Sequence, residues 1–348
     1  MRSSFLKSAV YAVAMMICAC GPSANAQQDP LSRLPEYRPS AIEGGVICSW
    51  GHVFVKKVMD SWEREFQKYH PDVTFSDNLV SSAAATGALF TKTAEIGVVG
   101  REIRPMEVAG YTRVMKHKPF ALEVMTGSFA NADKSVALGI FVQKDNPLQR
   151  ITFAQLDAIF GSEHKAGEKV NVRTWGQLGL TGSWANRPIS VYAGELDAAP
   201  AFYFSQRVML GSMLWNESLH HFDDANRPDG TVYEAQQQIV DALARDPGGI
   251  AISGAGVRNP NVKLVAISES DSGPYVEPTL ATVQDRSYPL SRSVWFYTNQ
   301  APEHPLDPRV REFLLFILSR QGQALVHQEG EYFPLTPELD AAQIRKLQ

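Results

Sequence analysis

The chain has 348 residues, 44% of them hydrophobic and 20% charged, with a formal net charge of −4. That is more than one average domain of ordinary soluble composition, so it excludes a disordered, fibrous or disulfide-dependent small scaffold. The negative balance gives no electrostatic basis for a nucleic-acid partner, and any anion site would have to be local. The chain opens on a basic head (Arg2, Lys7), followed by an apolar run Ala9 to Ala19 too short to span a bilayer. Gly21-Pro22 breaks the run, and Ala24-Asn25-Ala26 supplies the small-x-small pattern of signal peptidase, which makes Gln27 the first mature residue. A rival reading takes Ile17-Cys18-Ala19-Cys20 as a lipoprotein box with Cys20 as a lipid anchor; cleavage after Ala26 is preferred, and both readings export the chain. Gln27 to Ser40, with Pro30, Pro35 and Pro39, reads as an extended N-terminal tether.

From Val46 the pattern becomes strand, small-residue loop, helix, repeated. A short strand (Val46, Ile47, Cys48) breaks at Ser49-Trp50-Gly51-His52. A helix follows with Val55, Val58, Met59, Trp62, Phe66 and Tyr69 on one face, and His70-Pro71-Asp72 ends it. A second strand spans Val73 to Val80. The small polar stretch Ser81 to Ala85 then leads into a helical run through Leu89 and Phe90, and a third strand, Glu95 to Val99, ends in Gly100-Arg101. A helix-like stretch, Arg104 to Lys118, leads to a strand at Phe120 to Met125. Val136 to Val142 is an unbroken apolar strand of the kind buried on both faces. Further on, Thr152 caps a helix through Phe153, Leu156, Ile159 and Phe160 that Gly161 ends. Lys165 to Trp184 is loop with Trp175 and Leu178 tucked inward. Ile189 to Tyr192 is a strand, Phe202 to Met209 lies in a helix, and Val232 to Ala244 is another helix. Ile250 to Ser253, Val262 to Ile267 and Val294 to Thr298 read as strands, and Asp307-Pro308 starts the last long helix.

Cleavage after Ala26 leaves Cys48 as the one body cysteine, which cannot form an intramolecular disulfide and reads as a buried, inert thiol. Ligands of open α/β sheets sit beyond the carboxyl ends of the strands, where loops running into helix N-termini offer free N–H groups to an anion. Ser49 to His52, Ser81 to Ala85 and Gly100-Arg101 are three such ends.

The run Trp62 to Val73, Thr93 to Gly97, Lys144 to Leu148, Trp184 to Ile189, Tyr288 to Arg292 and the tail Glu312 to Leu335 together resemble the PstS-like periplasmic phosphate-binding proteins of ABC transporters. The resemblance implies an α/β, two-lobed type II periplasmic-binding-protein fold, each lobe an open mixed sheet flanked by helices. Expected boundaries are 1–26 for the signal peptide, 27–40 for the N-terminal segment, 41–143 plus 286–348 for the first lobe, and 144–285 for the second. It also implies a non-enzymatic periplasmic monomer that captures phosphate or a related small oxyanion for an ABC transporter permease, without cofactor or metal.

In that family four loops hold the phosphate with hydroxyl and backbone donors. Carried over, Ser49 takes the place of the first hydroxyl, and Ser82, flanked by Ser81, takes the serine of the second loop. Gly100 stands at the third position, with Arg101 beside it as a guanidinium for an oxyanion or for an ion pair with Glu102 or Glu95. The fourth loop departs from the pattern: Gly194 replaces a basic residue, and Asp197-Ala198-Ala199-Pro200 replaces a run of glycines and hydroxyls. Glu195 and Asp197 there add negative charge that repels a phosphate dianion. The competing reading is therefore a divergent binding-fold protein without a transport role, acting as a scaffold or partner-binding module.

Weaker constellations remain. His220-His221-Phe222-Asp223-Asp224 lacks the spacing of a metal site and reads as a solvated, Asp-capped loop. Glu195 and Asp197 could form an acid/base pair, the basis of a third, hydrolase reading that has no motif behind it. His52 could donate to an anion or titrate near neutrality, or simply pack. No G-x-S-x-G elbow, H-E-x-x-H or P-loop occurs.

Overall fold

The structure is a computed structural model that describes residues 30–348. The signal-peptide reading, with Cys18, Cys20 and the site after Ala26, lies outside the described residues. Two five-stranded mixed sheets organise the chain. In the first, the order is Val73–Leu79, Gly45–Gly51, Ile96–Val99, Ser293–Thr298, Phe120–Thr126. The leading three strands are parallel, and Ser293–Thr298 runs antiparallel to both its neighbours. The second sheet has the order Val262–Leu264, Leu138–Gln143, Gly249–Gly254, Ser190–Gly194, Leu219–Phe222. Its last three strands are parallel, and Leu138–Gln143 pairs antiparallel on both sides. The α/β, two-sheet architecture is the expected one.

The first sheet carries helices on both faces. Helix Lys56–Phe66 buries Val58, Met59, Trp62 and Phe66 in a core shared with Ile47, Ile96 and Val98, and Trp62 Nε1 donates to the Gly322 carbonyl at 2.8 Å. Helix Ser82–Phe90 covers the other face, where Ala85 and Leu89 pack with Val99 and Tyr111. Both patterns follow from apolar spacing of three and four residues against strand alternation of two. At the end of the first strand the backbones approach closely: a Cβ on Gly51 would fall 1.9 Å from the Val98 carbonyl oxygen, so only glycine fits.

Several expectations are corrected. The first strand continues through Gly51, so the break falls at His52 rather than at Ser49. Ser82 opens a helix, with Ser81 as its cap, instead of lying in a loop. The apolar strand Leu138–Gln143 is buried throughout, as its composition implies, but it pairs in the second sheet. The chain passes from the first sheet to the second within residues 127–137. Val262 to Ile267 divides into Val262–Leu264 and Ala266–Ser268, and helix Pro308–Ile317 is followed by Arg320–Glu329 and Pro337–Leu347. His220 and His221 lie on a strand, where His220 stacks on Tyr192 with ring centroids 5.2 Å apart. Cys48 is half-buried rather than sealed in the core, and burial followed by Glu95 raises its pKa.

The tether reading also fails from residue 30 onward. Leu34 and Tyr37 are buried, and the Tyr37 ring meets Phe316 edge-on at 5.1 Å. Its hydroxyl donates to Glu312 at 2.8 Å, while Arg320 N donates to the Pro35 carbonyl at 2.8 Å. Prolines set an extended path here, but the two apolar anchors fasten it to the first lobe.

Helix Pro337–Leu347 buries Asp340 completely, and neither carboxylate oxygen has a hydrogen-bond partner among the described residues. Burial pushes this carboxyl up to about 7. Its folded pKa exceeds the unfolded value, so its contribution is intact below the unfolded pKa and is lost as pH rises through about 7. Asp340→Asn should therefore narrow the gap in Tm between pH 5 and pH 8, with a gain at pH 8 of about 1–3 kcal/mol. Thermal unfolding of both forms at the two pH values checks this, and an unchanged gap contradicts it.

Candidate functional site

The carboxyl ends of both sheets' parallel strands face the junction between the lobes, and the sequence-predicted residues separate there. Ser49 lies within strand Gly45–Gly51, two residues before its end. The strand alternation places Ser49 on the face of Ile47, fully buried, opposite Asp77 on the edge strand. Ser82 and Gly100 do meet: the Gly100 N–H donates to Ser82 Oγ at 3.1 Å, so the backbone donor expected for a ligand is used inside the protein. The Gly100 carbonyl accepts from Ser135 Oγ at 2.6 Å. Ser81 Oγ accepts from Ala83 N at 3.3 Å, a helix cap.

Arg101 takes neither of the ion pairs expected for it, with Glu102 or Glu95. Its guanidinium forks onto Glu107, with Nη1 2.8 Å from Oε2, and also donates to the Glu102 carbonyl at 2.9 Å. Glu107 accepts from the Arg104 N–H at 2.7 Å as well, in the first turn of helix Pro105–Met115. Burial works against its charge, yet the bonds from Arg101 and Arg104 win and hold its pKa below the usual range. His52 fills the space beside Gly100, where an added Cβ would fall 2.1 Å from its ring. Burial, then the Lys134 and Arg292 charges, lower this imidazole to about 4, so it is neutral at pH 7.

The remaining cations around this junction are also engaged. Lys134 pairs with Glu331 at 2.8 Å and donates to the Phe54 carbonyl at 2.6 Å. Arg292, almost fully buried, pairs with Glu102 at 2.9 Å and lies over the Tyr203 ring at 5.3 Å. Arg104 donates to the Asp197 carbonyl and lies over the Phe202 ring at 5.5 Å. Tyr203 donates to the Ser291 carbonyl at 2.7 Å. These contacts join the loop after the third strand to helix Ala199–Arg207 of the second lobe. Sequence reasoning missed Arg104, Lys134, Arg292 and Tyr203. Only Glu107 carried a local sign, an acid in the first turn after Arg104-Pro105.

The cavity at this junction, about 490 Å³, belongs mainly to the second lobe. It opens at the ends of strands Ser190–Gly194 and Gly249–Gly254 and at the starts of helices Ala199–Arg207 and Ala235–Leu243. Glu195, Asp223 and Asp224 line it, with no lysine or arginine among the lining residues. Asp223, then Asp197, raises the Glu195 carboxyl by hydrogen bonding and repulsion. The start of helix Ala199–Arg207 lacks a side-chain cap and suits an anion, although Pro200 there removes one donor; at helix Ala235–Leu243 the Ala235 N–H already donates to Asp224.

A family model described as a PBP superfamily domain matches residues 49–321. Phosphate-binding protein PstS of Pseudomonas aeruginosa is 31% identical over 325 residues, spanning 93% of this chain and 93% of that one. Protein SphX of Synechococcus elongatus is 26% identical over 312 residues, 87% of this chain and 82% of its own length. Among solved structures, PstS from Borrelia burgdorferi superposes with a TM-score of 0.54 at 18% identity, covering 84% of this chain and 99% of that one. An ABC-type phosphate transport receptor from Vibrio cholerae gives 0.53 at 17% identity, covering 83% and 100%, a likeness of fold alone. Fold and match define a two-lobed solute-binding protein, a class that binds its ligand without transforming it. Within that class the chain belongs to the PstS family.

The grip of Glu107 on Arg101 yields a direct expectation. Glu107→Gln, which removes the carboxylate charge from the Arg101 fork, should lower stability by about 1–3 kcal/mol at pH 7. Thermal unfolding of both forms reads this, and an unchanged Tm would show that the pair contributes nothing to holding the junction.

Proposed function

We propose that this protein is an exported solute-binding protein that captures a small ligand between its lobes and hands it to an ABC transporter permease. The observation that carries the reading is the match along nearly the whole chain to PstS of Pseudomonas aeruginosa, on a framework whose cavity lies at the strand ends. The names of the relatives make phosphate or a related oxyanion the leading ligand. Donors for it are the Ser82 hydroxyl hydrogen and the uncapped start of helix Ala199–Arg207, with Arg101 in reserve behind Glu107. Hinge motion between the lobes would admit and release the ligand. Among the described residues no helix is long and apolar enough to cross a membrane.

One observation favours the second reading, a binding-fold module without transport duty: the cavity is lined by three acids and no base. A dianion entering it meets repulsion, and a monoanion meets less. Lowering the pH protonates phosphate from its dianion to its monoanion, which these acids repel less, so phosphate affinity should rise from pH 8 to pH 6.

Isothermal titration of the mature chain with phosphate tests the proposal. It predicts saturable binding that tightens as pH falls and weakens about tenfold in Ser82→Ala. No heat and no thermal shift at millimolar phosphate would retire the oxyanion and favour the scaffold reading.

A further inference from the structure

Ser49 lies away from the cleft, and its surroundings are acidic. In the parallel register it stands opposite Asp77, and helix Lys56–Phe66 brings Asp60 and Glu63 to the same place. One carboxylate oxygen from each of Asp60, Glu63 and Asp77 lies within 4.8 Å of the other two. Lys56 reaches Asp60 at 2.7 Å, a single cation against three carboxyl groups.

Two atoms here make no well-formed hydrogen bond among the described residues, although both lie beside Asp77. Ser49 is fully buried and sits beside the Asp77 carboxylate, yet its Oγ makes no well-formed hydrogen bond. Glu63 Oε1 is buried and unpartnered as well. Buried polar atoms are normally satisfied; here the Ser49 hydroxyl, able to donate or to accept, and the Glu63 carboxylate oxygen, an acceptor, both stand beside the Asp77 carboxyl.

We infer that Asp60, Glu63, Asp77 and Ser49 form a binding site for a hard divalent cation of the calcium type. All four contribute oxygen, which suits calcium or magnesium over the softer metals that favour imidazole or thiolate. Calcium fits better, because it accepts six to eight oxygens in irregular geometry, with water completing the shell, whereas magnesium demands a near-ideal octahedron. The site lies at the sheet's edge strand, Val73–Leu79, and the Asp60 side chain is 41% exposed, so an ion can enter from solvent. A bound ion would clamp helix Lys56–Phe66 to that strand and relieve the repulsion among the acids. The site is separate from the cavity and does not depend on which solute the lobes hold.

The test is calorimetric titration with calcium chloride of the mature chain, first stripped with chelator, together with thermal unfolding and terbium luminescence excited through tryptophan. One saturable site is expected, with a dissociation constant of about 10⁻⁴–10⁻³ M as in extracellular calcium modules. A rise in Tm and a preference for calcium over magnesium should accompany it. Asp77→Asn should abolish binding and Ser49→Ala should weaken it about tenfold, with near-UV circular dichroism confirming that each variant folds. Where Asp77→Asn does not fold, the more exposed Asp60→Asn takes its place with the same expectation. Absence of saturable heat and of a Tm shift at 10 mM calcium, well above that range, would overturn the inference. Equal affinity in the wild type and all the variants would overturn it too, because it would mean diffuse surface binding.

Discussion

The ion pair between Arg101 and Glu107 sets the character of the junction between the lobes. A guanidinium at the end of the third strand could serve an oxyanion; here a carboxylate of the same chain already occupies its fork. Lys134 and Arg292 are likewise held by Glu331 and Glu102, and Arg104 by a carbonyl across the junction. A partly buried cation so paired offers little net potential to a ligand, since its charge is spent over a few ångströms. The framework of a solute receptor is therefore combined with a junction that satisfies most of its own polar groups. The ligand space that remains is acidic and largely apolar.

Much of the fold was legible because its causes are local. The spacing of Val58, Met59, Trp62 and Phe66 marks a helix face, and all four are buried. Thr152 caps helix Phe153–Phe160 as its position suggests, accepting from Gln155 N at 3.3 Å. What sequence did not reveal depends on distant partners. Tyr37 is an anchor because Glu312 and Phe316, far along the chain, receive it. The strand Leu138–Gln143 is recognisable as buried, but only its pairing with Gly249–Gly254 assigns it to the second sheet.

The site was legible in part. Ser82 and Gly100 do come together, although they bond to each other. Ser49 could have been placed correctly from alternation alone: it shares a face with Ile47, while Cys48 and Trp50 share the other. The resemblance supplied a role for the hydroxyl, and the strand's two-residue period points it into the core instead. The acids Asp60, Glu63 and Asp77 gave no signal, since a helix and a strand must pack before their charges are seen to converge.

The central claim is that the lobes are joined through Arg104, Tyr203 and Arg292 by protein groups where a receptor of this class would use its ligand. Small-angle X-ray scattering of the phosphate-free mature chain tests it most directly. Expected is a particle that is predominantly closed without ligand, hinge opening being a minor excursion that admits phosphate, so that its radius of gyration does not shrink when phosphate is added. An extended, open particle that contracts on adding phosphate would contradict it and return the junction to an ordinary ligand-gated hinge.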